Sequence, residues 1–216
     1  MRLPVTCGGA RNQESANRGD MLGSVVHRTH EIFNNKTLRS VLLRFRYPIF
    51  LLAIIVLLMH VKRSWFFPAL AVCLFGELIQ LWCFACLDKN RTLAVRGPYV
   101  LTRNPMYIGR FFLLLGCLLL CGNIWVVFVF VVLYYFYMAN RVQREEYKLG
   151  VLFGETYDDY CRRVNRFLPS FKGVDLRSLW FFKWRLLFQN NGHWNLMAVI
   201  VSFVVFYFFA FVYSNP

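Results

Sequence analysis

Long apolar runs alternate with short polar connectors along this chain. Tyr47–Val61 (YPIFLLAIIVLLMHV), Trp65–Leu87, Met106–Cys121, Ile124–Ala139 and Leu196–Tyr213 are each almost unbroken hydrophobic stretches. Such runs predict membrane-spanning helices. The first is short enough that Arg46, Lys62 and Arg63 would have to snorkel to the headgroups at its ends. The expected fold class is therefore all-α integral membrane, with about five transmembrane helices and a cytoplasmic segment between the fourth and fifth that holds the candidate chemistry. Gly122-Asn123 joins the third and fourth runs as a hairpin, and Gly109 and Gly116 give the third a small-residue face for close helix packing. Residues 1–46 read as a cytoplasmic N-terminal segment whose first twenty or so residues, polar and Gly/Asn-rich, are expected to be disordered; Met21 is an alternative start. Residues 47–216 read as one multi-span domain.

Composition strengthens this picture. The 216 residues are 58% hydrophobic and 19% aromatic, which a soluble domain of this size could not bury. The formal charge of +14 would suggest a nucleic-acid partner in a soluble protein, but no basic helix or aromatic platform lies outside the apolar runs. The charge fits loops that touch anionic headgroups instead, and membrane lipids are the expected surroundings. Seven cysteines, five of them inside apolar runs, give no disulfide framework. Cys83 and Cys86 form a CxxC with no second pair and no nearby His, so no metal site is expected.

Loop charges give an orientation. Lys and Arg crowd before the first run, in the second-to-third connector (Lys89, Arg91, Arg96, Arg103) and after the fourth run, whereas the Gly122-Asn123 turn has none. Five spans with the N-terminus inside satisfy the positive-inside rule, and the reverse orientation does not. The connector and the stretch from Arg141 to Arg185 then share the cytoplasmic face.

That shared face collects unusual polar groups. The connector "RGPYVLTRNPMYIGR" ends where a helix should begin, with Asn104 as N-cap and Pro105 in the first turn. Arg103, Asn104, Tyr107 and Arg110 thus gather at a helix N-terminus, which itself favours anions. The fourth helix should run past the membrane surface to about Leu149 and carry Glu145 and Glu146 beyond the bilayer edge. Taken singly, these are turn formers and a solvated helix flank. As a set they offer donors for a carboxylate and acceptors for hydroxyls and a cation. Glu77, an acid inside the second run, is expected to pair with Arg110, with proton handling as the alternative. Leu176–Gln189, where Trp180, Trp184 and Phe188 recur every fourth residue, predicts an interfacial amphipathic helix that docks on the membrane.

"GPYVLTRNPMYIG", "REEY" and "GETYDDYCRRVNRFLP", in that order and preceded by "GELIQLW", resemble the isoprenylcysteine carboxyl methyltransferase family and the related membrane phospholipid methyltransferases. The resemblance covers Gly76 to Pro169. It implies S-adenosylmethionine-dependent methyl transfer to a lipophilic acceptor from the bilayer. By the family pattern Tyr99, Arg103, Asn104, Pro105, Tyr107, Glu145 and Glu146 would hold the cofactor. Arg166, Glu146 and Tyr107 would serve the reaction, with Tyr157 and Tyr160 closing the site. Two departures stand out: Asn104 occupies a usual His position, and Asn165 a frequent Pro. An Asn can donate and accept hydrogen bonds but cannot become cationic.

No Gly-rich loop follows a strand, which excludes a Rossmann-type cofactor fold. The acceptor stays open between an isoprenylcysteine carboxylate, a phospholipid amine and a small thiol. Readings of other classes are a transporter using Glu77 and Arg110 as intramembrane charges, for which no inverted repeat is evident, and a nicotinamide-dependent membrane reductase. No obligate protein partner is evident.

Overall fold

The computed structural model describes residues 44–88, 92–171 and 175–213, apart from the side chains of Arg46, Tyr47, Ile49 and Phe50. Residues 45–216 form one compact unit; of the rest of the chain only Arg44 is described, so the expectations for the N-terminal segment lie outside the described residues. All regular structure among the described residues is helical. In chain order it is α1 (Arg46–Met59), α2 (Phe66–Cys86), α3 (Pro105–Leu119), α4 (Ile124–Phe153), α5 (Glu155–Arg163), α6 (Leu176–Leu179), α7 (Trp184–Gln189) and α8 (Gly192–Phe208), which ends in a π turn, Phe209–Tyr213.

Every predicted apolar run is helical, but the lengths differ from a uniform five-span set. Three helical stretches are long and apolar enough to cross a membrane: Arg63–Cys86, Ile124–Phe153 and Gly192–Tyr213. α1 has 14 residues and α3 has 15, or roughly 22 Å of helix each. Both are shortened by turns that apolar residues enter. The chain leaves helix at His60, and Leu120 and Cys121 belong to the turn that Gly122 closes with φ +57°. The two turns meet, since Lys62 N donates to Leu120 O at 2.8 Å and Lys62 Nζ to Gly122 O at 3.4 Å. One end of the bundle is thereby fixed.

α2 is the central helix: 44% of its apolar window is buried, against 11% in α4, most of whose surface is left for lipid. The expected glycine face of α3 packs on α2. A Cβ on Gly109 would meet Gly76 O at 2.9 Å, and one on Gly116 would meet Cys73 N at 2.6 Å. Only glycine permits this approach. α1, α2, the α3 end and α8 enclose a core of Leu57, Phe66, Ala69, Cys73, Leu120, Val199, Phe203 and Phe206.

Two expectations are corrected here. Glu77, 1% exposed, accepts from Asn195 Nδ2 on α8 at 2.6 Å, not from Arg110. Arg110 instead turns along its own helix, with Nη2 3.4 Å from Met106 Sδ and its guanidinium 5.5 Å from the centre of the Tyr107 ring. An amide on the neighbouring helix satisfies one carboxyl oxygen without a second buried charge. The predicted continuous helix over Leu176–Gln189 is also broken, into α6 and α7. Between them Phe181 O accepts from Trp82 Nε1 (3.3 Å) and Cys86 Sγ (3.0 Å), while Lys183 N donates to Ala85 O (3.1 Å). The end of α2 has taken the main-chain groups that a helix would need.

Candidate active site

The connector enters the site through a tight 3-10 turn, Gly97–Val100. Gly97 has φ +64°, and any side chain there would strike the Cys86 sulfur. This seats Tyr99 in the interior, where its carbonyl accepts from Tyr160 Oη at 2.7 Å. The next residues are laced to the strap that follows α5. Arg103 N donates to Asn165 O (2.9 Å), Thr102 Oγ1 to Arg166 O (3.1 Å) and Ser170 N to Leu101 O (3.0 Å). Asn165, one of the two family departures, thus holds Arg103 through its carbonyl.

α3 then begins at Pro105 with Asn104 in the N-cap position, but the Asn104 side chain makes no cap hydrogen bond. Its Nδ2 donates instead to Glu146 Oε1 on α4 (3.2 Å) and to Arg166 O on the strap (3.3 Å). A side-chain amide with two N–H groups can serve both acceptors at once. Glu146 is 8% exposed and receives three groups: Arg103 Nη1 at 3.5 Å and Asn104 at Oε1, and Arg166 Nη2 at 2.6 Å on Oε2. The guanidinium of one hairpin arm and an acid of the other therefore meet, as the sequence led us to expect.

The twin acids, however, part company. Adjacent helix positions point about 100° apart, so Glu145 faces a separate, more exposed cluster. It takes Arg141 Nε at 3.0 Å, and the same nitrogen lies 3.3 Å from Tyr107 Oη. Tyr107 itself is 4% exposed, with its carbonyl accepting from Tyr134 Oη at 2.7 Å. Of the expected residues, Arg103, Asn104, Glu146 and Arg166 form one cluster; Tyr107 and Glu145 form the other; Pro105 is buried between them as the start of α3.

Beside Arg103 lies a cavity of about 170 Å³, lined by Tyr99, Leu149, Phe153, Tyr157 and Tyr160 among others. Burial first, and the nearby Glu146 charge as well, pushes the Tyr157 phenol up; burial likewise raises Tyr160, so both stay neutral donors at ordinary pH. Tyr157 Oη and Arg103 Nε are buried without a hydrogen-bond partner. Buried polar atoms are seldom left so, and these two meet the polar demands of an amino-acid or nucleoside ligand. Sequence reasoning assigned no role to Cys161, whose sulfur accepts from Arg103 Nη1 at 2.8 Å, or to Thr102, 3% exposed at the strap. The four-residue spacing of Tyr157 and Cys161 on α5 was the available signal.

Comparison with known proteins converges on the same stretch. The phospholipid methyltransferase family model matches residues 65–156, which span α2, the connector, α3, α4 and the first residues of α5. The match covers under half of the chain. Protein-S-isoprenylcysteine O-methyltransferase of Mus musculus is 38% identical over 88 residues, 40% of this chain and 31% of the mouse protein. The Xenopus laevis protein of the same name is 30% identical over 120 residues, 50% of this chain and 41% of its own length. The probable rice enzyme (Oryza sativa subsp. indica) is 27% identical over 125 residues, 51% of this chain and 65% of that protein. The match thus covers 31% and 41% of the mouse and Xenopus proteins' own lengths. No solved structure matches. The resemblance to the isoprenylcysteine carboxyl methyltransferase family is supported from both directions, and three helices of this chain are long and apolar enough to cross a membrane.

Proposed function

We propose that this chain is a membrane-embedded, S-adenosylmethionine-dependent methyltransferase that acts at the cytoplasmic face on a lipophilic, anionic acceptor of the isoprenylcysteine carboxylate kind. The observation that carries this reading is the buried ion pair between Arg103 and Glu146 at 3.5 Å, beside a cavity with two unpartnered polar atoms. An amino-acid zwitterion can replace that pair group for group. Its carboxylate takes the Arg103 guanidinium, and its ammonium or a ribose hydroxyl takes Glu146, so the buried charge stays balanced. Tyr99 and Tyr157 line that cavity, and Asn104 and Pro105 would approach the ligand from the start of α3.

When bound, S-adenosylmethionine supplies an electrophilic methyl on a sulfonium centre, transferred in line with a neutral thioether as leaving group. Such a displacement asks the protein for alignment and exclusion of water more than for acid-base chemistry. The cavity of about 170 Å³ is smaller than the roughly 300 Å³ at which ligand pockets begin. The residues that line it must therefore shift when a ligand enters, and their return would shut water out. Arg166, whose side chain is 40% exposed, is free to swing from Glu146 and orient an anionic acceptor. A carboxylate acceptor arrives already deprotonated, whereas an amine or thiol must first lose a proton. The Arg166 guanidinium thus favours the carboxylate over a phospholipid N-methyl or small-thiol S-methyl reaction.

The test is methyl-labelled S-adenosylmethionine given to purified protein with a prenylcysteine mimic, a phospholipid amine and a small thiol in parallel. A base-labile label on the prenylcysteine mimic is expected. Label only on the amine or thiol would change the acceptor, and an NADPH-dependent reduction without label would reject the reading. Substrate flux into sealed vesicles without methyl transfer would favour the transporter alternative.

A further inference from the structure

The segment between α6 and α7 is held at a fixed height. Its main chain is bonded to Trp82, Ala85 and Cys86 at the end of α2, and Asn190 Nδ2 adds donations to Phe84 O (2.9 Å) and Leu87 O (2.6 Å). α2 is long enough to cross the membrane, so its end, and this segment with it, sits where acyl chains give way to headgroups. The side chains agree. Trp180 is 79% and Trp184 68% exposed, and Trp180 stacks on Trp82 with ring centres 6.4 Å apart, as in an interfacial aromatic belt.

Two cations share one aromatic ring in this segment. The Arg96 guanidinium lies 5.1 Å, and the Lys183 ammonium 5.2 Å, from the centre of Phe181. Both side chains are exposed, and neither makes an ion pair among the described residues, nor do Arg177 and Arg185 nearby in the sequence. The segment's own acid, Asp175, is spent on the α6 N-terminus, where it accepts from Arg177 N, Ser178 N and Ser178 Oγ. By contrast Arg162 on α5, also exposed, has Asp159 within 3.4 Å. The patch is therefore a cluster of cations without counter-ions, held at headgroup depth beside lipid-facing aromatics.

We propose that Arg96 and Lys183, seated on Phe181, bind the headgroup of an anionic phospholipid, with Trp180 and Trp184 against its acyl chains. Phosphate and carboxylate oxygens supply the counter-charges the protein withholds, and the bonds to α2 keep the two cations in place before the lipid arrives.

The experiment uses the full chain in phosphatidylcholine nanodiscs containing a minor share of phosphatidylserine. Lipids retained after detergent extraction are quantified by mass spectrometry for wild type, Arg96→Gln/Lys183→Gln, the charge-conserving Arg96→Lys/Lys183→Arg, and Arg162→Gln/Arg163→Gln. Wild type is expected to retain phosphatidylserine above its share of the bilayer. The Gln pair should lose about fivefold or more of that enrichment, while the charge-conserving pair and the α5 pair keep most of it. Equal retention by Arg96→Gln/Lys183→Gln, or an equal loss in Arg162→Gln/Arg163→Gln, would overturn the site in favour of general surface charge. Displacement of phosphatidylserine by millimolar inorganic phosphate would likewise overturn it, since the ligand would then be a soluble anion.

Discussion

Glu146 concentrates the energetics of the site at the scale of single residues. It and Arg103 each have side chains 9% exposed, so removing one partner strands the other in a poorly solvated place. Breaking a buried pair costs about 3–5 kcal/mol, whereas an exposed pair contributes about 0–1 kcal/mol. Glu146→Ala should therefore destabilise the folded protein by about 3 kcal/mol. Arg166→Ala, at a 40% exposed side chain, should cost less than about 1 kcal/mol. Chemical denaturation in detergent micelles reads both; equal losses would show that Arg166, not Arg103, is the pair that matters. Asn104→Asp is expected to be worse than Asn104→Ala in the same assay, because it sets a second carboxylate 3.2 Å from Glu146 where an amide donated before. The Asn-for-His departure was visible in the sequence. Its consequence was not, because an N-cap position predicts a bond to the helix, and here the side chain reaches the neighbouring helix instead.

Among the elements, the α2–α3 contact is the least forgiving. A Cβ on Gly76 would come within 2.5 Å of Leu113 N and 2.6 Å of Gly109 O, both backbone atoms that cannot step aside. Gly76→Ala should lower stability by about 1–3 kcal/mol. Gly150→Ala should be neutral or gain up to about 1 kcal/mol, since its nearest neighbour would be Tyr157 Cδ1 at 3.8 Å. Thermal melts in detergent compare the two, and a harmless Gly76→Ala would refute the close crossing. The glycine stripe of α3 was legible in sequence, but a stripe announces close approach without saying to which helix. The break between α6 and α7 was not legible at all: aromatic spacing at every fourth residue fits a helix, and only the end of α2 competes for its main-chain bonds.

Across the whole molecule the helices order two ends. The turns at Lys62 and Gly122 meet at one, and the connector, the strap and Glu146 meet at the other, with α3 running between. Cysteines introduced at exposed Asn123 and Glu155 should label from opposite sides of sealed vesicles with an impermeant maleimide, above the background of the native thiols. Labelling from one side would contradict the arrangement of α3 and α4 as a membrane hairpin. The sequence conveyed the all-helical class and the meeting of Arg103 with Glu146, because apolar length and hairpin connectivity dictate both. It did not convey which runs are long enough to cross, since the turns that shorten α1 and α3 arise from their mutual contact, nor that Glu145 leaves the cluster through helical rotation.

The central claim, that Arg103 and Glu146 form the two ends of a cofactor cradle, is tested most directly by equilibrium titration of S-adenosylmethionine onto the purified protein and its Glu146→Gln and Glu155→Gln variants. Wild type and Glu155→Gln should bind alike, and folded Glu146→Gln should bind about tenfold or more weakly. Undiminished affinity in folded Glu146→Gln, or no binding to wild type, would contradict it.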